Sequence, residues 1–243
     1  MRYHLLGVGE AFDAPLGNTS AILTAESRLL LDCGYAVPAA LWAHNGDADF
    51  LDGLYISHAH GDHFFGFPPL IGRLWESGRT RELAVITQEP VFRKLQESVE
   101  LAYPGILAAC KFDLRFLPAS AGATVRWREF ELRFAPSRHS VANLAVRVET
   151  AGRSFAYSGD GQFTPAGHDL FSGVDVLLHE AYSFEPHPNH GDIEGVIGMA
   201  AEAGVRRLLL THLNRITRVR DRARIDPALL PEPGHAGETE PRP

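Results

Sequence analysis

Short apolar segments separated by turn residues recur along most of the 243-residue chain. Apolar runs of this kind, bounded by Gly, Pro, Asn or Ser, are typical of β-strands. They predict strands at residues 5–8, 21–24, 29–31, 54–57, 84–87, 114–117, 124–127, 131–135, 142–148, 154–157, 175–178 and 207–211. The five segments between residues 114 and 157 have the spacing of a second meander.

Longer segments with helical signals lie between these strands. Residues 37–44 and 64–76 are predicted helices, with Pro68 and Pro69 in the first turns of the second. Pro90 fits the first position of a helix that runs to about residue 103, and Gly204 ends a helix over residues 193–203. Strands followed by helices occur once in each half, which predicts an α/β protein built as a four-layer αββα sandwich.

The composition changes near residue 220, where Pro and Gly become frequent and apolar residues become rare. A segment of this kind cannot bury enough apolar surface to form its own core. We therefore expect one catalytic domain at residues 1–220 and a flexible or loosely draped Pro/Gly-rich tail at residues 221–243. A domain of this length is common among layered α/β proteins.

The charge balance bears on partners and compartment. The chain has 23 Lys and Arg against 30 Asp and Glu, a formal net charge of −7, and only Lys94 and Lys111 are lysines. This balance offers little attraction to the backbone of a large RNA. The sequence has two cysteines and lacks a secretory pattern or a run of 18 apolar residues, so we expect a cytoplasmic protein without a membrane association.

The candidate chemistry is concentrated directly after the strand at residues 54–57. His58, His60, Asp62 and His63 are four potential metal ligands within six residues. In an extended segment His58 and His60 project in the same direction and can bind one ion. Asp62 and His63 follow a turn at Gly61 and can face a second ion. Imidazole and carboxylate donors suit Zn²⁺, Mn²⁺ or Fe, whereas a solvated loop seldom carries such a dense cluster.

This string resembles the His-x-His-x-Asp-His motif of the metallo-β-lactamase superfamily. Three later metal motifs of that superfamily match His139 after Pro-Ser-Arg, Asp160 after Tyr-Ser-Gly, and His212 after Leu-Leu-Leu-Thr. The resemblance covers residues 58–212 and implies the αββα fold. It also implies a ligand set of His58, His60 and His139 for one divalent ion, Asp62, His63 and His212 for the other, and Asp160 as a bridge. Two zinc ions are the expected cofactors, with Mn or Fe as alternatives, and Asp62 would orient the attacking water.

Two further segments are similar to ribonuclease Z and its phosphodiesterase relatives. Residues 7–9 with residues 18–20 resemble the opening of that branch, and residues 179–182 resemble its His-Glu-Ala-Thr motif with Tyr182 in place of Thr. The branch also carries a histidine on the next loop, for which His190 is the candidate. The resemblance implies that Glu180 and His190 protonate the leaving oxygen. The alternative is that Glu180 is only a polar group at a strand end.

Departures from the ribonuclease Z pattern limit the range of expected substrates. Asp160 is followed by Gly-Gln, where that branch usually has Thr-Arg, and no segment is long enough for a tRNA-clamping arm. The predicted partner is therefore a small phosphodiester or nucleotide and not a large RNA. A thioester or lactone hydrolase on the same scaffold is the alternative activity, and a binding protein with a vestigial site is the non-enzymatic one. A homodimer is an expectation by analogy alone.

Overall fold

The computed structural model describes residues 1–239, which form a layered assembly of strands and helices. The strands are β1 (Arg2–Gly7), β2 (Ser20–Thr24), β3 (Arg28–Leu31), β4 (Gly53–Tyr55), β5 (Leu83–Thr87), β6 (Leu114–Pro118), β7 (Thr124–Trp127), β8 (Phe130–Pro136), β9 (Leu144–Thr150), β10 (Arg153–Tyr157), β11 (Val176–Glu180), β12 (Arg207–Thr211) and β13 (Ala236–Glu238). The helices are α1 (Val37–His44), α2 (Gly61–Phe64), α3 (Phe67–Glu76), α4 (Glu89–Ala102), α5 (Ile106–Ala109), α6 (Pro165–Phe171), α7 (Ile193–Glu202) and α8 (Arg215–Arg220).

These strands make two sheets. The first has the order β13-β1-β2-β3-β4-β5-β6 and the second the order β12-β11-β10-β9-β8-β7. Strands β3 to β6 are parallel to one another, and so are β10 to β12. Parallel neighbours require crossover connections, and helices α1 to α7 provide them on the outer faces of the two sheets.

The core lies in three layers that follow from side-chain alternation along the strands. In β3, Leu29 and Leu31 pack between the two sheets, whereas Leu30 points to the outer helices. Phe130 and Phe155 from the second sheet face the same inter-sheet core. Leu177 packs on the other side of that sheet with Met199 of α7. The structure thus confirms the predicted four-layer αββα sandwich.

The topology brings several loops to one edge of the sandwich. Strands β4, β8, β10, β11 and β12 run in a common direction within their sheets, and each leads into a loop that carries a predicted site residue. The carboxyl ends of such strands are the usual place for ligand sites in layered α/β folds. Residues far apart along the chain can therefore meet there.

The structure differs from the predicted elements at several places. Strand β6 does not belong to the second meander but pairs in parallel with β5, with Leu83 opposite Leu114. The predicted helix over residues 64–76 is two helices, and α3 begins at Phe67 because Pro68 occupies its first turn, where proline is accepted. Helix α6 was not predicted, and it starts where the Thr164 hydroxyl accepts a hydrogen bond from the Gly167 amide.

Part of the predicted tail packs on the domain. Strand β13 pairs antiparallel with β1, placing Tyr3 opposite Gly237, and the Thr239 amide donates to the Met1 carbonyl at 3.0 Å. Ile225 is buried against the second sheet. The edge of β1 supplies unpaired backbone groups, and this pairing outweighs the low apolar content of the segment. Residues 240–243 of the predicted tail lie outside the described residues, and the domain boundary at residue 220 remains a prediction.

Candidate metal centre

The first group of predicted ligands comes together beside the loop after β4. His58, His60, His139 and Asp160 each offer one donor atom, and these atoms all lie within 4.8 Å of one another. His60 Nδ1 lies 3.1 Å from His139 Nε2, and His58 Nε2 lies 3.9 Å from Asp160 Oδ2. Three imidazoles and one carboxylate thus converge on a single point, as the sequence predicts.

The second group shares Asp160 with the first. Asp62, His63, Asp160 and His212 also have donor atoms within 4.8 Å of one another, and all four side chains are buried. His63 Nε2 is 3.1 Å from Asp62 Oδ2 and 3.3 Å from Asp160 Oδ1. His212 Nε2 is 3.2 Å from Asp62 Oδ2 and 3.4 Å from Asp160 Oδ2. Asp160 therefore lies where the two groups meet.

Several atoms of this cluster have no hydrogen-bond partner within residues 1–239. They are His58 Nε2, His63 Nε2 and Asp160 Oδ1, and all are buried. A buried polar atom left unpaired is costly, and native structures seldom leave several together. Divalent cations bound by nitrogen and oxygen donors would satisfy these atoms, so the residues present fit a metal centre.

Burial and neighbouring carboxylates shift the pKa values of the histidines in this cluster. Burial and the adjacent His63 hold the pKa of His58 well below its usual range. Burial acts to lower the pKa of His63, but the Asp160 and Asp62 carboxylates outweigh it and hold that pKa well above its usual range. The same carboxylates overcome burial at His212 and raise its pKa to about 9. Because imidazoles coordinate metals in their neutral form, metal binding at this cluster releases protons.

The carboxylate of Asp32, which the sequence did not indicate, binds a candidate metal ligand through the ring nitrogen that does not face the metal position. Asp32 follows β3 and is fully buried. It accepts hydrogen bonds from His63 Nδ1 at 2.7 Å, from the Ser57 amide and hydroxyl at 2.7 Å each, and from the Tyr157 hydroxyl at 2.8 Å. A carboxylate bound to Nδ1 fixes the ring so that Nε2 faces the metal position. The signal available in the sequence was an aspartate directly after a buried strand.

The Asp32 contacts predict a measurable effect on metal binding. In Asp32→Asn the amide can still accept hydrogen bonds, but the charge that orients and polarises His63 is lost. We expect metal affinity to fall about 10- to 100-fold, as for other partners of metal-bound histidines. Titration of the metal-free protein with Zn²⁺ measures this change. Asp113→Asn, an exposed aspartate, is the matched control, and equal affinities for both variants would contradict the assignment.

Asn143, also missed by sequence analysis, positions the loop that carries Asp160. Its Nδ2 donates to the Ser137 hydroxyl at 2.8 Å and to the Ser158 carbonyl at 3.0 Å, while its Oδ1 accepts from the Asp160 amide at 3.3 Å. Gly159 adopts φ of 58° here, and a β-carbon at this position would clash with Asn143 Oδ1. The glycine is therefore required both by the left-handed backbone and by the close approach of the asparagine.

The structure brings Glu180 and His190 into contact beside the cluster. Glu180 ends β11, is fully buried, and accepts from His190 Nδ1 at 3.1 Å, from the Gly161 amide at 2.6 Å and from the Gly191 amide at 3.1 Å. The donor atoms of Glu180, His190 and His212 lie within 4.8 Å of one another. The pair thus adjoins the metal centre. The role that the sequence analysis gives it remains a prediction.

Asp192 caps the helix that follows the loop carrying His190. Its carboxylate accepts a hydrogen bond from the Gly195 amide at 2.7 Å and caps the amino terminus of α7. Such a cap typically contributes about 1 kcal/mol to stability. Asp192 therefore anchors the end of the loop that carries His190.

Comparison with known proteins shows that this chain has the metallo-β-lactamase fold. A metallo-β-lactamase fold protein of Bacillus subtilis superposes with a TM-score of 0.82 at 21% identity, covering 98% of this chain and 99% of that chain. Ribonuclease Z of Methanosarcina mazei is 23% identical over 271 residues, covering 88% of each protein. An uncharacterised protein of Mycobacterium tuberculosis is 31% identical over 193 residues, or 76% of this chain and 69% of the relative.

One protein family matches most of the chain. Residues 1–224 match the family described as "Anti-Pycsar protein Apyc1". The chain belongs to that family. Over residues 1–239 no helix combines the length and the apolar character needed to cross a membrane.

Proposed function

We propose that the protein is a metal-dependent phosphodiesterase that hydrolyses a small phosphodiester or nucleotide. The observation that carries this proposal is the contact between Glu180 and His190 at 3.1 Å, directly beside His212 of the candidate metal centre. A cluster of the same ligands serves other hydrolases, but a carboxylate–histidine pair at its edge provides a proton source for a leaving oxygen. The ribonuclease Z relatives support a phosphodiester as the substrate class.

The residues that would hold two divalent ions are those that the sequence indicated. The ligand set is His58, His60 and His139 for one ion, Asp62, His63 and His212 for the other, and Asp160 between them. Zn²⁺ is the proposed metal because nitrogen-rich sites of this composition suit it. When bound, the ions would supply positive charge that acidifies water and stabilises charge on phosphoryl oxygens.

The proposed roles of the chain's own groups follow from their contacts. Because His190 Nδ1 donates to Glu180, the proton given to the leaving oxygen comes from Nε2. The His190 side chain is 15% exposed, so substrate can reach it from the open side of the site. Asp62 lies between His63 and His212, and its carboxylate can orient a water molecule by accepting a hydrogen bond from it. Glu180 would hold the Nδ1 proton and stabilise the positive charge of the ring from which Nε2 gives its proton, so that the ring is left neutral with Nδ1–H still bound to Glu180.

The charge of the surface favours a small substrate. The formal net charge of −7 opposes the approach of a polyanion. A small nucleotide or phosphodiester has one or a few charges, which a pair of cations can neutralise locally. The proposal therefore restricts the substrate to small molecules.

A substrate panel tests this proposal. The metal-loaded protein is assayed with bis(p-nitrophenyl) phosphate, a 3′,5′-cyclic nucleotide, a precursor tRNA, an acyl thioester and a lactone. We expect kcat/KM for the better small phosphodiester to exceed that for the thioester and the lactone by at least about 100-fold, because two cations would neutralise the negative charge on the phosphoryl oxygens. Faster turnover of the thioester or lactone would reject the phosphodiesterase assignment, and faster turnover of the tRNA would reject the size restriction.

A further inference from the structure

The His190 ring lies inside a stack of rings. The Tyr182 ring stacks on it, with ring centroids 4.8 Å apart and planes 21° apart. The His212 ring is also nearly parallel to it, with centroids 5.5 Å apart and planes 18° apart. The His187 ring also approaches His190, at 4.9 Å, and Tyr182, at 5.2 Å. His190 therefore lies between two nearly parallel rings, those of Tyr182 and of the candidate metal ligand His212.

Tyr182 is itself fixed to the two loops that flank the site. Its carbonyl accepts from the Asn214 amide at 2.8 Å, and its hydroxyl accepts from Asn214 Nδ2 at 2.8 Å. Asn214 is two residues after His212 and caps α8 through its Oδ1, which accepts from the Ile216 amide at 2.9 Å. The Tyr182 amide donates to the Gly191 carbonyl at 2.9 Å, next to His190. The tyrosine ring thus has a fixed position relative to both His190 and His212.

One hydrogen bond restrains the His190 ring at a single atom. The bond from Nδ1 to Glu180 limits rotation about the Cβ–Cγ bond but does not alone set the plane of the ring. Two nearly parallel neighbouring rings restrict that plane further, because turning the ring would bring it against Tyr182 or His212. Threonine, the residue of the similar ribonuclease Z motif, has no ring and cannot restrict the plane in this way.

We propose that Tyr182 is a positioning residue for protonation of the leaving group. It holds the His190 ring so that Nε2 faces the leaving oxygen, and this inference rests on the proposed phosphodiesterase function. Proton transfer from a positioned side chain contributes about 10²- to 10⁴-fold to rate, and it requires the donor atom within hydrogen-bond reach. A ring that turns away loses most of that contribution while substrate binding is unchanged.

A series of leaving groups tests the inference. The substrates are thymidine 5′-phosphate aryl esters of 4-nitrophenol, 4-chlorophenol and phenol, and the readout is the dependence of kcat on the acidity of the leaving phenol. In Tyr182→Thr we expect kcat for the phenyl ester to fall about 30-fold and kcat for the 4-nitrophenyl ester less than about 3-fold, because 4-nitrophenolate leaves without a proton. KM should change less than about 2-fold, since Tyr182 is not required to bind substrate.

Companion variants make the test specific. His190→Ala should show a leaving-group dependence at least as steep, and Tyr182→Thr should add nothing in the His190→Ala background. Tyr182→Phe keeps an aromatic ring against His190. In this variant kcat should depend on the acidity of the leaving phenol as weakly as it does in the wild type. Tyr103→Thr, which changes an exposed tyrosine at the end of α4, is the matched control for the substitution. Thermal unfolding of each variant verifies that it is folded.

The two proposals fail in different ways. If the wild-type protein hydrolyses none of the aryl esters, the proposed function is wrong. If the wild type is active and Tyr182→Thr lowers all three rates by the same factor, or leaves them unchanged, the positioning role is wrong. A steep dependence in Tyr182→Phe would also overturn the inference, because it would assign the effect to the Asn214 hydrogen bond and not to the stack.

Discussion

Replacing Asp160 with alanine should remove metal from both halves of the cluster and lower phosphodiester hydrolysis on the order of 10³-fold. Asp160 is the one side chain shared by the two groups of candidate ligands, and it is buried. Without it, His63 and His212 lose the carboxylate that faces them at 3.3 and 3.4 Å. Elemental analysis of the purified variant measures the metal, and turnover of bis(p-nitrophenyl) phosphate measures the rate.

Asp169→Ala provides the control for the Asp160 variant. The side chain of Asp169 is 88% exposed on α6 and lies away from the cluster, so the same chemical change there should leave both metal content and rate near the wild-type values. If Asp160→Ala keeps its full metal content and full rate, the candidate metal centre is not the site of hydrolysis. Loss of metal without loss of rate would show that the hydrolysis does not use the metal.

The metal-free protein should lose stability as the pH rises from about 6.5 to about 9. Asp160 and Asp62 outweigh burial and raise the pKa of His212 in the folded state to about 9, from a usual value of 6.5. The resulting stabilisation is fully present below pH 6.5 and disappears as the pH rises through 9, because the ring then loses the proton that attracts the carboxylates. The shift corresponds to roughly 3 kcal/mol in the free energy of unfolding.

Denaturant unfolding of the chelated protein at a series of pH values measures this loss. The metal-loaded protein is the control, because a cation takes the place of the proton and the neutral imidazole is already present. Its stability should therefore vary little over the same pH range. A flat profile for the metal-free protein would show that His212 does not carry a proton between the two carboxylates.

The grouping of the candidate metal ligands could be predicted from sequence because the local spacing of these residues and the topology of the fold agree. His58, His60, Asp62 and His63 lie within one short loop, so their proximity follows from the chain itself. Asp160 and His212 each follow a predicted apolar strand, and the ends of parallel strands meet at one edge of a sheet. The resemblance to the metallo-β-lactamase superfamily then indicated which strand ends to consider.

The parts that sequence did not reveal depend on pairings between distant residues. Asp32 acts through His63, 31 positions away, and through Tyr157, 125 positions away, and no local pattern reports either contact. Strand β6 has the same local pattern as the meander strands that follow it, yet its partner is β5. An apolar run predicts that a strand exists, but its neighbour is chosen by packing across the whole sandwich.

Strand β13 bears on whether a second molecule can pair with the edge of the first sheet. It lies beyond residues 1–224, the part matched by the family, and it covers the outer side of β1. A bare β1 would present a row of free amides and carbonyls on which a second molecule could extend the sheet. A three-residue strand offers far less to such a neighbour. Covering β1 with this short strand therefore leaves fewer free backbone groups on which a second molecule could extend the sheet.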